Sequence, residues 1–328
     1  MTPILLAAIL LALAFDFLNG IHDSSNVVAT MISSRAMSPR LALGTTAIAN
    51  FVGPFVFGVA VATTIGHEVV DATAINIHVI LAALLSAIIW DVLTWWLGFP
   101  SSSSHALIGG ILGAVFVGAG WNAIELPGLE KILLTLFASP LIGFVVGFIA
   151  LRVIMALSWN ATPRINEWFK RGQVLTGLAV ALSHGTNDSQ KTMGIITLAL
   201  VTGGFLDTFA VPVWVIVLCA SMIALGTAVG GWRLIRTLGG RIFKIRPLDG
   251  FTSQLASASV IITASLVGGP VSTTQVVSSA IMGTGAAERA NKVRWGVAQE
   301  IAVAWLLTIP ASALMAAGLY FVLARFLP

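Results

Sequence analysis

Two distant stretches of this chain carry nearly the same polar motif: Gly20-Ile21-His22-Asp23-Ser24-Ser25-Asn26 and Gly185-Thr186-Asn187-Asp188-Ser189-Gln190-Lys191. Both lie inside long apolar runs, where an Asp is costly unless a polar or cationic group meets it. A second pair follows: Pro100-Ser101-Ser102-Ser103-Ser104-His105 and Pro270-Val271-Ser272-Thr273-Thr274-Gln275. Counted from Asp to Pro, the two motifs are 77 residues apart in the first copy and 82 in the second. Such an internal duplication is typical of secondary transporters.

The composition is that of a membrane protein. Of the 328 residues, 57% are hydrophobic and only 9% are charged, whereas about a quarter of the residues are charged in an ordinary soluble domain. The basic residues are scattered over short loops and form no tract, so the sequence gives no indication of nucleic-acid binding. Cys219 is the single cysteine, which excludes a disulfide within the chain.

The hydropathy pattern predicts ten apolar segments, at roughly 3–34, 41–65, 75–98, 100–120, 131–157, 173–202, 211–236, 250–268, 270–287 and 295–325. All of the 17 Lys and Arg residues except Lys131, Lys191 and Arg325 lie at alternate connections between these segments. Because Lys and Arg mark cytoplasmic loops, we expect both termini outside. Five segments per half is an odd number, so we expect two inverted repeats, 1–157 and 173–328, joined by a short cytoplasmic linker at 158–172.

Two bends interrupt this pattern, Gly98-Phe99-Pro100 and Gly268-Gly269-Pro270. A Pro lacks the backbone N–H and favours the start of a helix. Turns at the membrane surface would satisfy the pattern, but we favour re-entrant hairpins that dip to mid-depth. The predicted fold is thus an all-α integral membrane protein, an inverted-repeat transporter with broken helices, two re-entrant Ser/Thr-rich hairpins and roughly 10–12 membrane segments.

The Ser/Thr clusters have the chemistry of an anion site. A helix start offers free backbone N–H groups and a positive dipole end, to which hydroxyl groups add further donors. Two such starts from inverted repeats could hold one tetrahedral oxyanion from opposite sides. The candidate donors are Ser102, Ser103, Ser104, Ser272, Thr273 and Thr274. The alternative is that small hydroxyl residues simply let helices pack closely.

The carboxylates indicate a cation. Asp23 and Asp188 would repel an anion unless Na⁺ or a proton neutralised them. Asn26, Asn187 and Gln190 supply neighbouring amides, and we expect the helices to break at Gly20 and Gly185 and expose carbonyl groups. The alternative is a structural Asp that nearby Ser hydroxyls satisfy.

Further polar residues lie in apolar surroundings. Lys191 could meet the charge of the substrate or pair with Asp188. His22 and His105 are additional site candidates or hydrogen-bonded packing residues. For Asp91 and Glu300 the choice is between an extra ion ligand and a hydrogen bond between helices.

These motifs resemble those of the inorganic phosphate transporter (PiT) family. Its members carry a duplicated Gly-Ala-Asn-Asp-like signature and duplicated Pro-x-Ser-Ser/Thr-like segments. The stretch 183–194 is similar to the second signature, and 19–26 to the variant of the first, with His for Asn, of many bacterial members. The stretch 95–105 is equally specific, and the resemblance extends from about residue 10 to residue 310.

The resemblance implies cation-coupled symport of inorganic phosphate, with Na⁺ or H⁺ as coupling ion and no other cofactor, by a homodimer in a prokaryotic plasma membrane. It makes Asp23 and Asp188 the cation ligands, with Asn26 and Asn187 beside them, and the Ser/Thr clusters the phosphate ligands. Gln275 stands where many members have a second His, which argues against a role for a His pair.

Three other functions remain open. A sulfate or broader oxyanion symporter would keep the fold and change the anion, and a passive anion channel could use the same donors to line a pore. An intramembrane hydrolase would need a nucleophile and a base that meet in space. Ser104 and His105 are only neighbours in sequence, so we do not expect an enzyme.

Overall fold

The structure is a computed structural model that describes residues 2–70 and 75–327. It confirms the all-α architecture. The α-helices of the described chain are α1 (Pro3–Ser33), α2 (Pro39–Phe57), α3 (Ala60–Thr63), α4 (Ile77–Leu97), α5 (Ser103–Gly118), α6 (Leu126–Leu157), α7 (Ile165–Thr202), α8 (Val213–Val229), α9 (Trp232–Gly240), α10 (Pro247–Leu266), α11 (Thr273–Glu288) and α12 (Trp295–Phe326). A π-helical turn, Thr64–Glu68, continues α3.

The two halves of the chain repeat one order of helices and interlock. Helices α1–α6 correspond in order to α7–α12, since the polar motifs fall on α1 and α7 and the Ser/Thr clusters open α5 and α11. The hairpin α4–α5 packs against α12, and the hairpin α10–α11 packs against α6. Likewise, α1 packs on α8 and α7 on α2. Each half therefore completes the other, and the duplicated motifs meet at the interface between them.

The helices are broken, but not where the sequence led us to expect. The prediction of breaks at Gly20 and Gly185 is wrong, because α1 and α7 run unbroken through both motifs. A Cβ at Gly20 would collide with the backbone of α8, and one at Gly185 with the backbone of α2. These glycines thus permit close helix crossings. The breaks follow α2 at Gly58 (φ 77°) and α8 at Gly230 (φ 80°). At the second break the chain bends by 71° between α8 and α9.

Five helices of the described chain are long and apolar enough to cross a membrane, namely α1, α2, α4, α6 and α12, and the bent α8–α9 pair makes a sixth. Helix α7 is long, but it carries the second polar motif and begins with charged residues. It starts at Ile165, so part of the stretch predicted as a linker is helical. The chain is thus a multi-pass membrane protein.

Both hairpins turn in the same way. Gly98 (φ 75°) ends α4 and Gly268 (φ 70°) follows α10, each in a left-handed conformation that favours glycine. After the turn, the Ser102 hydroxyl caps α5 by accepting from His105 N at 3.1 Å, and Ser272 caps α11 by accepting from Gln275 N at 3.3 Å. The Pro-led clusters are therefore helix starts, as the sequence predicts.

Candidate ion and anion site

The candidate site lies where the middles of α1 and α7 meet the tips of both hairpins. Its central side chains are buried, with Asp23 and Lys191 2% exposed and Asp188 and Thr273 1% exposed. The hairpin tips touch each other here, since Ser104 Oγ lies 3.2 Å from the carbonyl oxygen of Val271. Elements from both halves thus build one enclosed site.

Thr273 joins the two carboxylates. Its Oγ1 lies 3.0 Å from Asp23 Oδ2 and 2.8 Å from Asp188 Oδ2, and Thr274 Oγ1 lies 2.8 Å from Asp23 Oδ1. Ionised carboxylates only accept hydrogen bonds and a hydroxyl group has one proton, so Thr274 donates to Asp23, while Thr273 shares its single proton between the two carboxylates. Two of the predicted anion donors are therefore directed at the Asp pair in this conformation, and they tie α11 to it.

The two Asn residues contact the same hairpin. Asn26 Nδ2 donates to Thr274 Oγ1 at 2.9 Å, while no donor among the described residues meets Asn26 Oδ1. Asn187 Nδ2 donates to Ser265 Oγ at 2.9 Å, and its Oδ1 accepts from Val271 N at 3.2 Å. Asn187 thus holds the hairpin tip, whereas Asn26 presents a free oxygen beside Asp23.

Lys191 pairs with Asp188, which is one of the two roles that the sequence left open. Its ammonium also donates to Ser104 Oγ at 2.6 Å and to the carbonyl oxygen of Val271 at 2.8 Å. An ammonium has three protons, and these three acceptors use all of them. The structure therefore leaves Lys191 no donor for phosphate in this conformation.

Gln190 does not face the Asp pair. Its Oε1 accepts from Val61 N at 2.8 Å and Ala62 N at 3.3 Å, and its Nε2 donates to the carbonyl oxygen of Gly58 at 2.7 Å. The side chain thus satisfies the backbone at the break between α2 and α3. The prediction that Gln190 supplies an amide to the cation site does not agree with this placement.

His184 belongs to the site, although our sequence analysis did not select it. Its Nε2 lies 3.3 Å from Asp188 Oδ2 and 3.5 Å from Asp23 Oδ2. One atom each from Asp23, His184 and Asp188 could together hold a metal ion, since these atoms lie within 4.8 Å of one another. The signal was available, because residues four apart share a face of a helix and His184 precedes Asp188 by four.

The tautomer of His184 follows from a chain of hydrogen bonds. Thr227 donates to a backbone carbonyl at 2.9 Å, so its oxygen accepts from Asn50 Nδ2 at 2.7 Å. Asn50 Oδ1 then faces His184 Nδ1 at 3.1 Å, which assigns the proton to Nδ1. In neutral His184 the lone pair of Nε2 is therefore directed at the two carboxylates, an arrangement that a cation between them would relieve.

Other ionisable side chains lie around Asp23 and Asp188. His22 Nδ1 is 3.2 Å from Asp23 Oδ1. Asp91 is buried near this pair, and neither of its oxygens has a partner among the described residues. Asp16, also missed from the sequence, lies two turns before Asp23 on α1 and accepts from Thr192 Oγ1 at 2.7 Å.

Two further candidates are placed very differently. His105 lies at the hairpin tips, with Nδ1 3.4 Å from the carbonyl oxygen of Trp305 and a buried Nε2 that has no partner among the described residues. Glu300 is exposed near the start of α12 and is not brought to the site. Glu300 is therefore not in position to be an additional ligand of this site.

The starts of α5 and α11 converge on the centre. The first amides of a helix have no partner within it, so each start directs N–H groups and a positive dipole end at the space between the hairpins. Ser103 Oγ is buried there without a partner among the described residues. Converging donors of this kind have the chemistry of an anion site.

Comparison with known proteins agrees with this geometry. Residues 19–316 match the family described as "Phosphate transporter family". The chain belongs to the phosphate transporter family.

Two bacterial relatives are similar to this chain over nearly their whole length. A protein of Bacillus subtilis named "Probable low-affinity inorganic phosphate transporter" is 45% identical over 96% of this chain and 96% of its own. One of Rhizobium meliloti with the same name is 44% identical over 97% and 96%. A solved structure described as "The sodium-dependent phosphate transporter" superposes with a TM-score of 0.92 at 25% identity, covering 99% of this chain and 100% of that one.

Proposed function

We propose that this member of the family carries out cation-coupled symport of inorganic phosphate by alternating access. The observation that carries the proposal is the bond from Thr273 to both Asp23 and Asp188. It connects the hairpin whose start has the chemistry of an anion site to the carboxylates that have the chemistry of a cation site. Binding of either ion must therefore alter the surroundings of the other.

Phosphate would bind between the starts of α5 and α11. The amides of both helix starts, with the hydroxyl groups of Ser102, Ser103, Ser104, Ser272, Thr273 and Thr274, would supply its donors. Phosphate carries protons at neutral pH and can itself donate hydrogen bonds, whereas sulfate only accepts them. The buried carboxylates near these donors favour phosphate for this reason.

Na⁺ is our first choice for the coupling ion, at Asp23 and Asp188. Asp188 is paired with Lys191, whereas Asp23 has no Lys or Arg partner among the described residues, so a monovalent cation would neutralise the charge of Asp23. The similarity to a transporter described as sodium-dependent supports Na⁺ over H⁺. A hard cation also prefers the oxygen ligands that Asp23 and Asn26 offer.

Coupling would then be a local exchange of hydrogen bonds. Thr273 and Thr274 lie within hydrogen-bond distance of the carboxylates of the Asp pair. A cation that takes over the carboxylate oxygens releases these hydroxyl groups to donate to phosphate. The anion site is therefore complete only when the cation is bound, and an uncompensated Asp pair would repel phosphate.

We further propose that the protein lies in the plasma membrane with both termini outside, works as a homodimer, and divides into the repeats 1–157 and 173–328. The basic connections support the orientation, and the matched order of helices in the two halves supports the division.

The test is uptake of radiolabelled phosphate into proteoliposomes, with inward Na⁺ and H⁺ gradients imposed separately and with or without excess sulfate. We expect accumulation under the Na⁺ gradient that sulfate does not block. Asp23→Asn should abolish it, while Asp207→Asn, in an exposed loop, should not. Accumulation under the H⁺ gradient alone would change the ion, and block by sulfate would change the anion. Equilibration without accumulation would make the protein a channel.

A further inference from the structure

Asn26 and Lys191 occupy the same position in the two halves. Each follows its motif Asp by three residues, Asn26 after Asp23 and Lys191 after Asp188. Each also reaches across to the hairpin of the other half. The two repeats therefore place a neutral amide and a cation at equivalent points.

The residues that they reach are equivalent too. Asn26 Nδ2 donates to Thr274 Oγ1 at 2.9 Å, and Lys191 Nζ donates to Ser104 Oγ at 2.6 Å. Thr274 and Ser104 each follow the Pro of their hairpin by four residues. These contacts are thus two copies of one arrangement, one in each half of the chain.

The ammonium of Lys191 has the surroundings of a bound cation. It meets only oxygens, namely the carboxylate of Asp188, the hydroxyl of Ser104 and the carbonyl of Val271 at 2.8 Å. Carboxylate, hydroxyl and carbonyl oxygens are the ligands of hard metal cations. The side chain is buried, so these protein oxygens surround the ammonium in place of bulk solvent.

At the equivalent point in the first half the amide of Asn26 replaces the ammonium, and the ionisable partners of Asp23 are His22 at 3.2 Å and His184 at 3.5 Å. There Asp23 Oδ1 and Thr274 Oγ1 lie 2.8 Å apart, and no described donor meets the buried Oδ1 of Asn26. Among the described residues, no Lys or Arg lies within ion-pair distance of Asp23. A carboxylate and an amide oxygen thus remain to bind a cation from solution.

We propose that the chain contains two equivalent cation sites and that Lys191 permanently supplies the cation of the second. One coupling cation, bound at Asp23 and Asn26, then accompanies each phosphate. This rests on the proposed function, and it adds to it the number of coupling ions and the residue that sets that number. Lys191→Asn, which copies the first half into the second, should create a site for a second Na⁺.

The experiment measures Na⁺ in two ways. Equilibrium binding of ²²Na⁺ to the purified full-length protein gives the number of sites, and the ratio of ²²Na⁺ to labelled phosphate taken up by proteoliposomes gives the coupling. We expect one Na⁺ by both measures in the wild type and two in Lys191→Asn. Lys170→Asn is the matched control, since Lys170 is on the same helix and pairs with Glu167 at 2.8 Å away from the site; it should keep one.

If Lys191→Asn does not transport phosphate, the number of bound Na⁺ is the measurement that tests the proposal. Two bound Na⁺ in that variant support the proposal, and one overturns it. Two Na⁺ in the wild type would also overturn it, because Lys191 would then fill neither site. The wild type and an active Lys191→Asn variant could both take up one Na⁺ for each phosphate. That result would overturn this inference and leave the proposed function intact. Wild type that neither binds Na⁺ nor depends on it would overturn this inference and the choice of Na⁺, and the proposed symport would fail with them only if an H⁺ gradient drove no accumulation either.

Discussion

His105 and Gln275 occupy equivalent positions in the two halves and lie against each other, with His105 Nδ1 3.2 Å from the amide nitrogen of Gln275. Each is the third residue of the helix that follows its hairpin turn. Residues that contact their own equivalents lie at a twofold axis, so a pseudo-twofold axis relating the two proposed repeats would pass between these two. The hairpin tips therefore face each other symmetrically, and functional differences between the halves must come from differences in residue type, as with Asn26 and Lys191.

Thr273→Val should remove the connection between the hairpin and the Asp pair while keeping the shape of the side chain. A hydrogen bond to a charged group is worth about 1.5–3 kcal/mol, so we expect phosphate uptake at subsaturating concentration to fall by roughly 10- to 100-fold. Thr263→Val is the matched control, because Thr263 is exposed on α10 and bonds only to its own helix. Equal uptake by both variants would exclude Thr273 from coupling.

The sequence predicted those parts of the site that are encoded locally. Ser102 and Ser272 cap helices because a Pro-led hydroxyl cluster forms a helix start in any surroundings. Likewise, a buried Asp in a duplicated motif indicates a charged site before any contact is known. The pairing of Lys191 with Asp188 remained one of two alternatives, since a spacing of three residues permits this contact on a helix.

Contacts between distant elements could not be predicted in this way. Gln190 is next to Lys191 in sequence, yet it serves the break after α2, because the interlocked packing brings that break to α7. The prediction of helix breaks at Gly20 and Gly185 was wrong for a related reason. A glycine can end a helix or allow a neighbouring backbone to approach, and only the position of α8 shows that Gly20 does the latter.

Gln190→Met tests whether this side chain is a structural cap or an ion ligand. The change removes the hydrogen bonds to Gly58, Val61 and Ala62 with little change in volume. At about 0.5–1.5 kcal/mol for each bond, we expect a loss of roughly 2–4 kcal/mol in the free energy of unfolding. The half-saturating Na⁺ concentration of the folded protein should not change. A raised Na⁺ requirement at wild-type stability would instead make Gln190 a cation ligand.

The orientation of the chain can be tested with single cysteines in a Cys219→Ala background. Arg164 lies in the connection before α7 and Asp207 in the connection after it, and both are exposed. Because basic connections mark the cytoplasm, a membrane-impermeant maleimide should label Asp207→Cys in intact cells and Arg164→Cys only after lysis. The opposite pattern would place both termini inside.

Asp188→Asn and Asp23→Asn should both stop coupled uptake but differ in stability. Asp188→Asn leaves the buried ammonium of Lys191 without its carboxylate, and breaking a buried ion pair costs about 3–5 kcal/mol. Asp23 has no Lys or Arg partner among the described residues, so Asp23→Asn should cost clearly less. Adding Lys191→Met to Asp188→Asn removes the unpaired charge, and we expect most of the lost stability to return without uptake. The measurement is unfolding in detergent micelles. If the double variant is no more stable than Asp188→Asn, the unpaired ammonium of Lys191 is not the cause of the lost stability.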